Sequence, residues 1–144
     1  MLIIAVIVTE YDGVVVMSEK SLLAIVELGG YPNFKALYEQ YGFTVTILNS
    51  VRKAVRQIKQ QKPDVVVAEF NYQSDFRDRT SSLETLMSVL QGMPDIQVII
   101  FYDQEHAHHF QKMSDRFDVK HTLAFPIEQE RMEALLESLV AGWN

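Results

Sequence analysis

The sequence contains no cysteine. Without thiols the chain forms no disulfide, no thiolate metal site and no thiol nucleophile. Positive charge is also scarce, since 13 Lys and Arg residues stand against 19 Asp and Glu and the formal net charge is −6. A predominantly acidic surface repels phosphate backbones, which argues against nucleic-acid partners. The lack of cysteine fits a reducing compartment, and we expect a cytoplasmic protein.

Long hydrophobic runs and nucleotide-binding motifs are absent as well. The apolar run at residues 2–8 is too short to span a bilayer, and no basic residue precedes it. We therefore expect no membrane helix, no signal peptide and no membrane partner. The sequence has no GxGxxG or Walker-type loop, and Ser81 and Ser82 lack a convincing His and Asp arrangement. These absences predict a protein that is not an enzyme and holds no cofactor.

What remains is the composition of one globular domain. The chain has 144 residues, 48% of them hydrophobic and 22% charged. From Leu22 onward, apolar runs rich in Val and Ile alternate with stretches of helical period, which predicts five βα units. Right-handed crossovers then favour an α/β fold with a doubly wound, five-stranded parallel sheet. The predicted strands are residues 22–28, 43–48, 64–70, 97–102 and 119–124.

Local signals predict where the helices begin and end. Gly42 follows an apolar stripe in the position that stops a helix, and Ser50 is a suitable N-cap for the next one. Ser81 with Glu84 matches a capping box after a polar loop at residues 71–80. Asp103 is the predicted cap of a helix that follows the fourth strand.

The first 21 residues do not fit the βα pattern. Residues 2–8 and 14–17 are typical of strands, and the Tyr11-Asp12-Gly13 segment between them is typical of a turn. We therefore predict a β-hairpin extension at residues 1–21 and a main domain at residues 22–144. The hairpin either extends the sheet or a dimer interface, or is an extension of little consequence.

One segment carries a family resemblance. Residues 63–71 (PDVVVAEFN) begin with a proline and an acidic residue, continue as an apolar strand and reach a carboxylate at Glu69. In the order and spacing of such markers, the chain from Leu22 to about Val140 resembles the receiver domains of bacterial response regulators. The other markers are Glu27 near the end of the first strand, Gly42, and Phe125-Pro126 after the last strand.

The resemblance implies a chemistry that can be checked position by position. Receivers accept a phosphoryl group on an aspartate, which corresponds to Glu69, with Mg²⁺ held partly by an acidic pair, which corresponds to Glu27 and Leu28. A small hydroxyl residue and a lysine surround the phosphoryl oxygens, and their positions carry Tyr102 and Phe125. Clustered carboxylates suit Mg²⁺, and positive charge stabilises a transferring phosphoryl group. Because four positions depart from this pattern, we interpret the chain as a degenerate pseudo-receiver without a metal site.

The resemblance also predicts geometry. It implies the flavodoxin-like strand order 2-1-3-4-5 and a cis peptide at Phe125-Pro126. Tyr102 and Phe125 are expected to pack together over the former phosphorylation site. Partners of receivers commonly bind the surface of the fourth helix, fifth strand and fifth helix. Here that face runs from about Asp103 to Val140, and we expect it to bind a protein partner or a second copy of the chain.

Three functions remain open at this point. The first is a phosphorylation-independent interaction module in a two-component-type pathway, in which Glu69 is a plain carboxylate or imitates a phosphorylated aspartate. The second is an atypical phosphoacceptor that binds Mg²⁺ through Glu27, Glu69 and Asp103. The third is a small-ligand sensor at the carboxyl ends of the strands, which an apolar pocket would favour. His106 and His109 have the spacing of metal ligands, but an exposed first helical turn explains them better.

Overall fold

The N-terminal extension forms a two-stranded antiparallel sheet. The computed structural model describes residues 6–11, 14–18, 20–72 and 82–143. Strand β1 (Val6–Tyr11) pairs with β2 (Val14–Ser18), with a register irregularity between Ile7 and Thr9. An antiparallel strand pair is thus present where the hairpin is predicted, but the first strand runs to Tyr11 rather than to residue 8. Residues 1–5, Asp12 and Gly13 lie outside the described part.

Five parallel strands form the main sheet, and their order confirms the predicted fold class. Their order across the sheet is β4-β3-β5-β6-β7, which is 2-1-3-4-5 when only the parallel strands are counted. Non-sequential neighbours of this kind arise when the crossover helices cover both faces. The strands are β3 (Lys20–Ile25), β4 (Phe43–Leu48), β5 (Val65–Glu69), β6 (Gln97–Asp103) and β7 (His121–Phe125).

Helices pack on both faces of this sheet and enclose two apolar clusters. One cluster lies between the sheet and α2, α3 and α4, and the other between the sheet and α1 and α5. We call these the α2–α4 face and the α1–α5 face. In the described residues no helix is long and apolar enough to cross a membrane. The helices are α1 (Lys35–Gln40), α2 (Val51–Gln60), α3 (Ser82–Leu90), α4 (Ala107–Phe117), which a short 3₁₀ turn at Gln104–His106 precedes, and α5 (Gln129–Ala141).

The central strand β5 is buried along its whole length, as the unbroken apolar run predicts. Val65 and Val66 are 0% exposed and point to opposite faces, so each cluster receives side chains from this strand. Burial of a valine side chain contributes roughly 1.5–3 kcal/mol relative to exposure. Packing from both faces therefore fixes the position of Glu69, which ends the strand.

Three of the predicted end signals are confirmed. Ser50 Oγ accepts a hydrogen bond from the Lys53 amide at 3.2 Å. Asp103 Oδ1 accepts one from the Glu105 amide at 2.9 Å. Gly42, just past the end of α1, has φ of 93°, a conformation that a Cβ disfavours. The predicted cap Ser81 and the loop residues 73–80 lie outside the described residues.

Several predicted strand bounds differ from the observed ones, and two of the differences have a visible cause. Strand β3 ends at Ile25 rather than at residue 28, and the last ladder bond runs from the Val26 amide to the Leu48 carbonyl at 2.8 Å. The apolar residues beyond it do not continue the strand, since Leu28 is 65% exposed. Strand β7 begins at His121 rather than at residue 119, because the chain leaves α4 through Asp118 in the left-handed conformation.

Candidate functional site

Glu69 lies at the carboxyl end of β5 and is 5% exposed. Its Oε1 atom accepts hydrogen bonds from the main-chain amides of Glu27 at 3.2 Å and Leu28 at 3.3 Å. The Asn71 side chain donates a third bond to the same oxygen at 3.1 Å. These donors satisfy Oε1 inside the protein, as a buried polar atom requires. The carboxylate thus joins the end of β5 to the loop that follows β3.

Glu27 and Leu28 contact Glu69 through their main-chain amides. Both residues lie in the loop after β3, where Glu27 is half-buried and Leu28 is exposed. At the position of the second acidic residue of the family's pair, this chain therefore has Leu28, whose apolar side chain is in solvent. What the loop contributes to Glu69 is two N–H donors, which any pair of residues other than proline would supply.

Tyr31 is the residue that the sequence did not single out. Its hydroxyl donates to the Phe70 carbonyl at 3.2 Å. Its ring lies 5.7 Å from the ring of Phe101 and 5.9 Å from that of Phe125. Burial raises the pKa of Tyr31 to about 12, and the charges of Asp103 and Glu69 act in the same direction. Tyr31 thus covers the strand ends next to the carboxylates.

The predicted contact between Tyr102 and Phe125 is wrong. Tyr102 stacks on Phe110 of α4 with 4.3 Å between ring centroids, in the apolar cluster of the α2–α4 face. Phe125 instead contacts Tyr31, which belongs to the cluster of the opposite face. The register explains this, because Phe125 pairs with Asp103 and side chains of neighbouring positions alternate between faces. An aromatic ring does cover the site, but Tyr31 supplies it.

The cis peptide expected at Phe125-Pro126 is present. Phe125 is half-buried and Pro126 is exposed, directly after the last strand. Phe125 occupies the position that carries lysine in the resemblance, so the position next to Tyr31 carries a ring and no charge.

The described residues do not assemble the ligand set that the atypical-phosphoacceptor alternative requires. Within residues 6–11, 14–18, 20–72 and 82–143, no group of three His, Asp or Glu side chains is placed to hold a metal ion. Glu27, Glu69 and Asp103 are therefore not brought together as a ligand set. The histidines of α4 are in ring contacts instead, since His109 stacks on Tyr72 with 3.8 Å between centroids.

A cavity of about 300 Å³ opens beside Glu69 on the α1–α5 face. Its floor is formed by residues of β3, β5 and β6, and its sides by Ile47 of β4 and by the segment from Gly29 to Phe34. Ligand pockets span roughly 300–1,000 Å³, so this cavity is large enough for a small molecule. The sequence predicted only the location, at the carboxyl ends of the strands.

The strand order and the helices on both faces define a doubly wound α/β domain. No protein-family model and no curated protein sequence matches the chain. Solved structures of response regulators and their receiver domains do share its fold.

Three of these structures illustrate the likeness. NtrX from Brucella abortus superposes with a TM-score of 0.68 at 13% identity over 87% of this chain, which spans only 28% of that protein. The Francisella response regulator 1452 receiver domain gives 0.66 at 15% identity, with 88% of this chain and 100% of that one covered. A response regulator from Burkholderia multivorans gives 0.63 at 18% identity, over 85% and 95% of the two chains. At these identities the likeness concerns the fold.

Proposed function

We propose that this chain is a phosphorylation-independent, receiver-like interaction module of a two-component-type signalling pathway. The observation that carries the proposal is the state of Glu69, which is 5% exposed and whose Oε1 already accepts three hydrogen bonds. A phosphoacceptor needs an accessible carboxylate oxygen in line with the phosphoryl donor. Oε1 is held by internal donors and is therefore not free to act as the attacking oxygen.

The surroundings of Glu69 support the same proposal. Phosphoryl transfer depends on positive charge around the transferring oxygens. Here the position of the family's lysine carries Phe125, and Tyr31 packs against that ring. The tyrosine and the phenylalanine supply apolar surface where the reaction would require a cation. The atypical-phosphoacceptor alternative needs a cation site that the described carboxylates do not form.

We place the partner surface on the region from Asp103 to Val140, which contains α4, β7 and α5. Strand β7 is an edge of the sheet, so α4 and α5 flank it with exposed polar surface. Glu128 and Glu130 are exposed at the start of α5, whereas the exposed cations Lys112, Arg116 and Lys120 lie on α4 and just before β7. Since complementary potentials steer association, we propose a protein partner whose basic surface lies against the start of α5.

The phosphorylation half of the proposal is tested by an NMR amide titration with Mg²⁺ and then beryllofluoride, a phosphoryl mimic. A receiver with an intact aspartate site is the positive control. We expect no saturable shifts at Glu27, Glu69 or Asp103 under conditions that fully shift the control. Localised, saturable shifts at these amides would contradict the proposal and favour the atypical phosphoacceptor.

The partner half is tested by photo-crosslinking in cells, with the crosslinker at Glu130 of α5. A matched control places it at the exposed Gln60 of α2, on the other side of the sheet. We expect one defined adduct from Glu130 that disappears in the Glu128→Lys variant and in high salt. Equal adducts from both positions would contradict the assignment of the face. Sedimentation equilibrium of the purified chain distinguishes a second copy from another protein.

A further inference from the structure

The cavity beside Glu69 has no role in the proposed interaction module. It lies on the α1–α5 face, where the carboxyl ends of β3, β5 and β6 meet the segment that leads into α1. Crevices at the carboxyl ends of the strands are where open α/β sheets bind ligands. The chemistry of the walls decides which ligand fits.

Four aromatic side chains contribute to the cavity wall, namely Tyr31, Phe34, Tyr38 and Phe101. Their rings form a continuous, mutually inclined set. The ring centroids of Phe34 and Phe101 are 6.1 Å apart at 74°, and those of Phe34 and Tyr38 are 6.4 Å apart at 58°. Inclined rings offer both edges and faces to a cavity, and aromatic faces attract cations.

Among the described residues that line the cavity, Glu69 is the one acidic side chain. Among the described residues no ion pair includes this side chain, and the three hydrogen bonds that they donate to it all end on Oε1. A buried carboxylate gains from a positive partner at short range, because low dielectric strengthens the attraction. An anionic ligand meets repulsion at the same place, and a neutral apolar ligand leaves the carboxylate without a counter-charge.

We propose that this cavity binds a small organic ammonium ion, with its charge against Glu69 and its carbon substituents against the aromatic rings. The volume of about 300 Å³ is at the lower end for ligand sites, which restricts the ligand to a small amine or quaternary ammonium compound. Ile47, 40% exposed at the outer edge of strand β4, stands at the wall of the cavity and is a position from which it can be blocked.

The test compares choline with 3,3-dimethylbutan-1-ol, which has the same shape with carbon in place of the charged nitrogen. Binding is followed by NMR amide shifts of the full chain. We expect saturable shifts at Ala24, Glu69 and Phe101 with choline, and binding of the neutral compound weaker by at least about tenfold. Benzylamine and propylamine extend the comparison to primary amines of different size.

Two variants locate the binding site. Glu69→Gln keeps an oxygen that accepts the amides of the β3 loop, and we expect it to abolish the preference for choline over the neutral compound. Ile47→Trp is expected to block the cavity, and Thr46→Trp is its matched control, because Thr46 is exposed on the same strand and its register partner Leu23 faces the opposite cluster.

Each possible result of these binding experiments either supports or overturns the proposal. Equal affinity for choline and its neutral isostere would overturn the proposal and leave an unselective apolar cavity. Absence of localised shifts with all three ammonium probes would overturn it as well. Loss of binding in Ile47→Trp but not in Thr46→Trp supports the location, and the reverse pattern contradicts it.

Discussion

The ring of Tyr31 meets the ring of Phe125 edge to face, with 5.9 Å between centroids and 81° between planes. The hydroxyl of the same tyrosine donates to the carbonyl of Phe70, the residue after β5. One loop residue therefore joins the ends of the central and the last strand. The contribution of this contact to folding can be measured directly.

Tyr31→Phe and Tyr31→Ala separate the hydroxyl from the ring. We expect Tyr31→Phe to lower the free energy of unfolding by about 0.5–1.5 kcal/mol, the usual net contribution of one hydrogen bond. Tyr31→Ala also removes the contacts with Phe101 and Phe125, and we expect it to cost about 2–3 kcal/mol, since the residue is only half-buried. Urea unfolding measures both values. Equal losses in the two variants would show that the ring contacts do not stabilise the fold.

Alkaline pH should destabilise the protein partly through Tyr31. Burial, with the charges of Asp103 and Glu69, raises its pKa from 10.0 to about 12. A pKa raised in the folded state means that the stabilisation is fully present below pH 10 and decreases as the pH rises toward 12. Urea unfolding at a series of alkaline pH values should therefore show a smaller decline for Tyr31→Phe than for the wild type. Parallel declines would contradict the pKa shift of Tyr31. Burial also raises the pKa of Tyr38, so part of the decline persists in the variant.

His121 gives a prediction for acidic pH. Burial, followed by the charge of Lys120, lowers the pKa of His121 below the ordinary value of 6.5. The neutral ring is therefore favoured in the folded state, and the associated stability is present above pH 6.5 and lost as the pH falls through the folded-state pKa. NMR titration of the ring protons should give the lowered pKa directly. Lys120→Gln should raise the pKa of His121 partway toward 6.5. If the pKa of His121 did not change in this variant, burial would be the only cause of its shift.

Gly42 and Gly30 allow the cost of a side chain to be compared at a positive and at an ordinary backbone φ. Gly42 has φ of 93°, whereas Gly30 has no positive φ and a Cβ added there meets no atom within 4 Å. We expect Gly42→Ala to cost about 1–2 kcal/mol in unfolding free energy, because L residues are strained in the left-handed region. Gly30→Ala should leave stability unchanged or slightly raised. If Gly42→Ala left the free energy of unfolding unchanged, the end of α1 would have to rearrange in the variant.

The hairpin of β1 and β2 should be separable from the main domain. The two strands pair with each other in a sheet of their own and are not among the strands of the five-stranded sheet. We expect limited proteolysis up to about Met17 to leave the cooperative unfolding of the remainder intact. A cleaved product that unfolds at much lower denaturant would show that the hairpin stabilises the sheet. Sedimentation before and after cleavage tests whether it holds a dimer together.

Sequence patterns predicted most of the fold because the signals are local. The bounds of β4 and the caps at Ser50 and Asp103 depend on residues close in the chain, and all three are confirmed. The end of β3 was misplaced because Val26 and Leu28 are apolar without being buried in the core. Hydrophobicity alone does not reveal where the ladder of hydrogen bonds stops.

The site was harder to predict because its contacts are distant in sequence. Tyr31 lies in a loop, and its partners Phe70, Phe101 and Phe125 come from after β5, from β6 and from β7. Whether Phe125 points to one face or the other depends on its register with β6, which the sequence does not encode locally. The carboxylate position of Glu69 was found from the family resemblance, but its main-chain donors were not.

The hydrogen bonds from the Glu27 and Leu28 amides to Glu69 form when the chain folds. A phosphoryl group on an aspartate is transferred from a donor and later hydrolysed, so its contacts last only as long as the phosphorylated state. The Glu69 contacts persist as long as the folded protein does. Under the proposed function, the strength of the signal from this domain therefore follows its copy number, and its response time is that of synthesis and degradation.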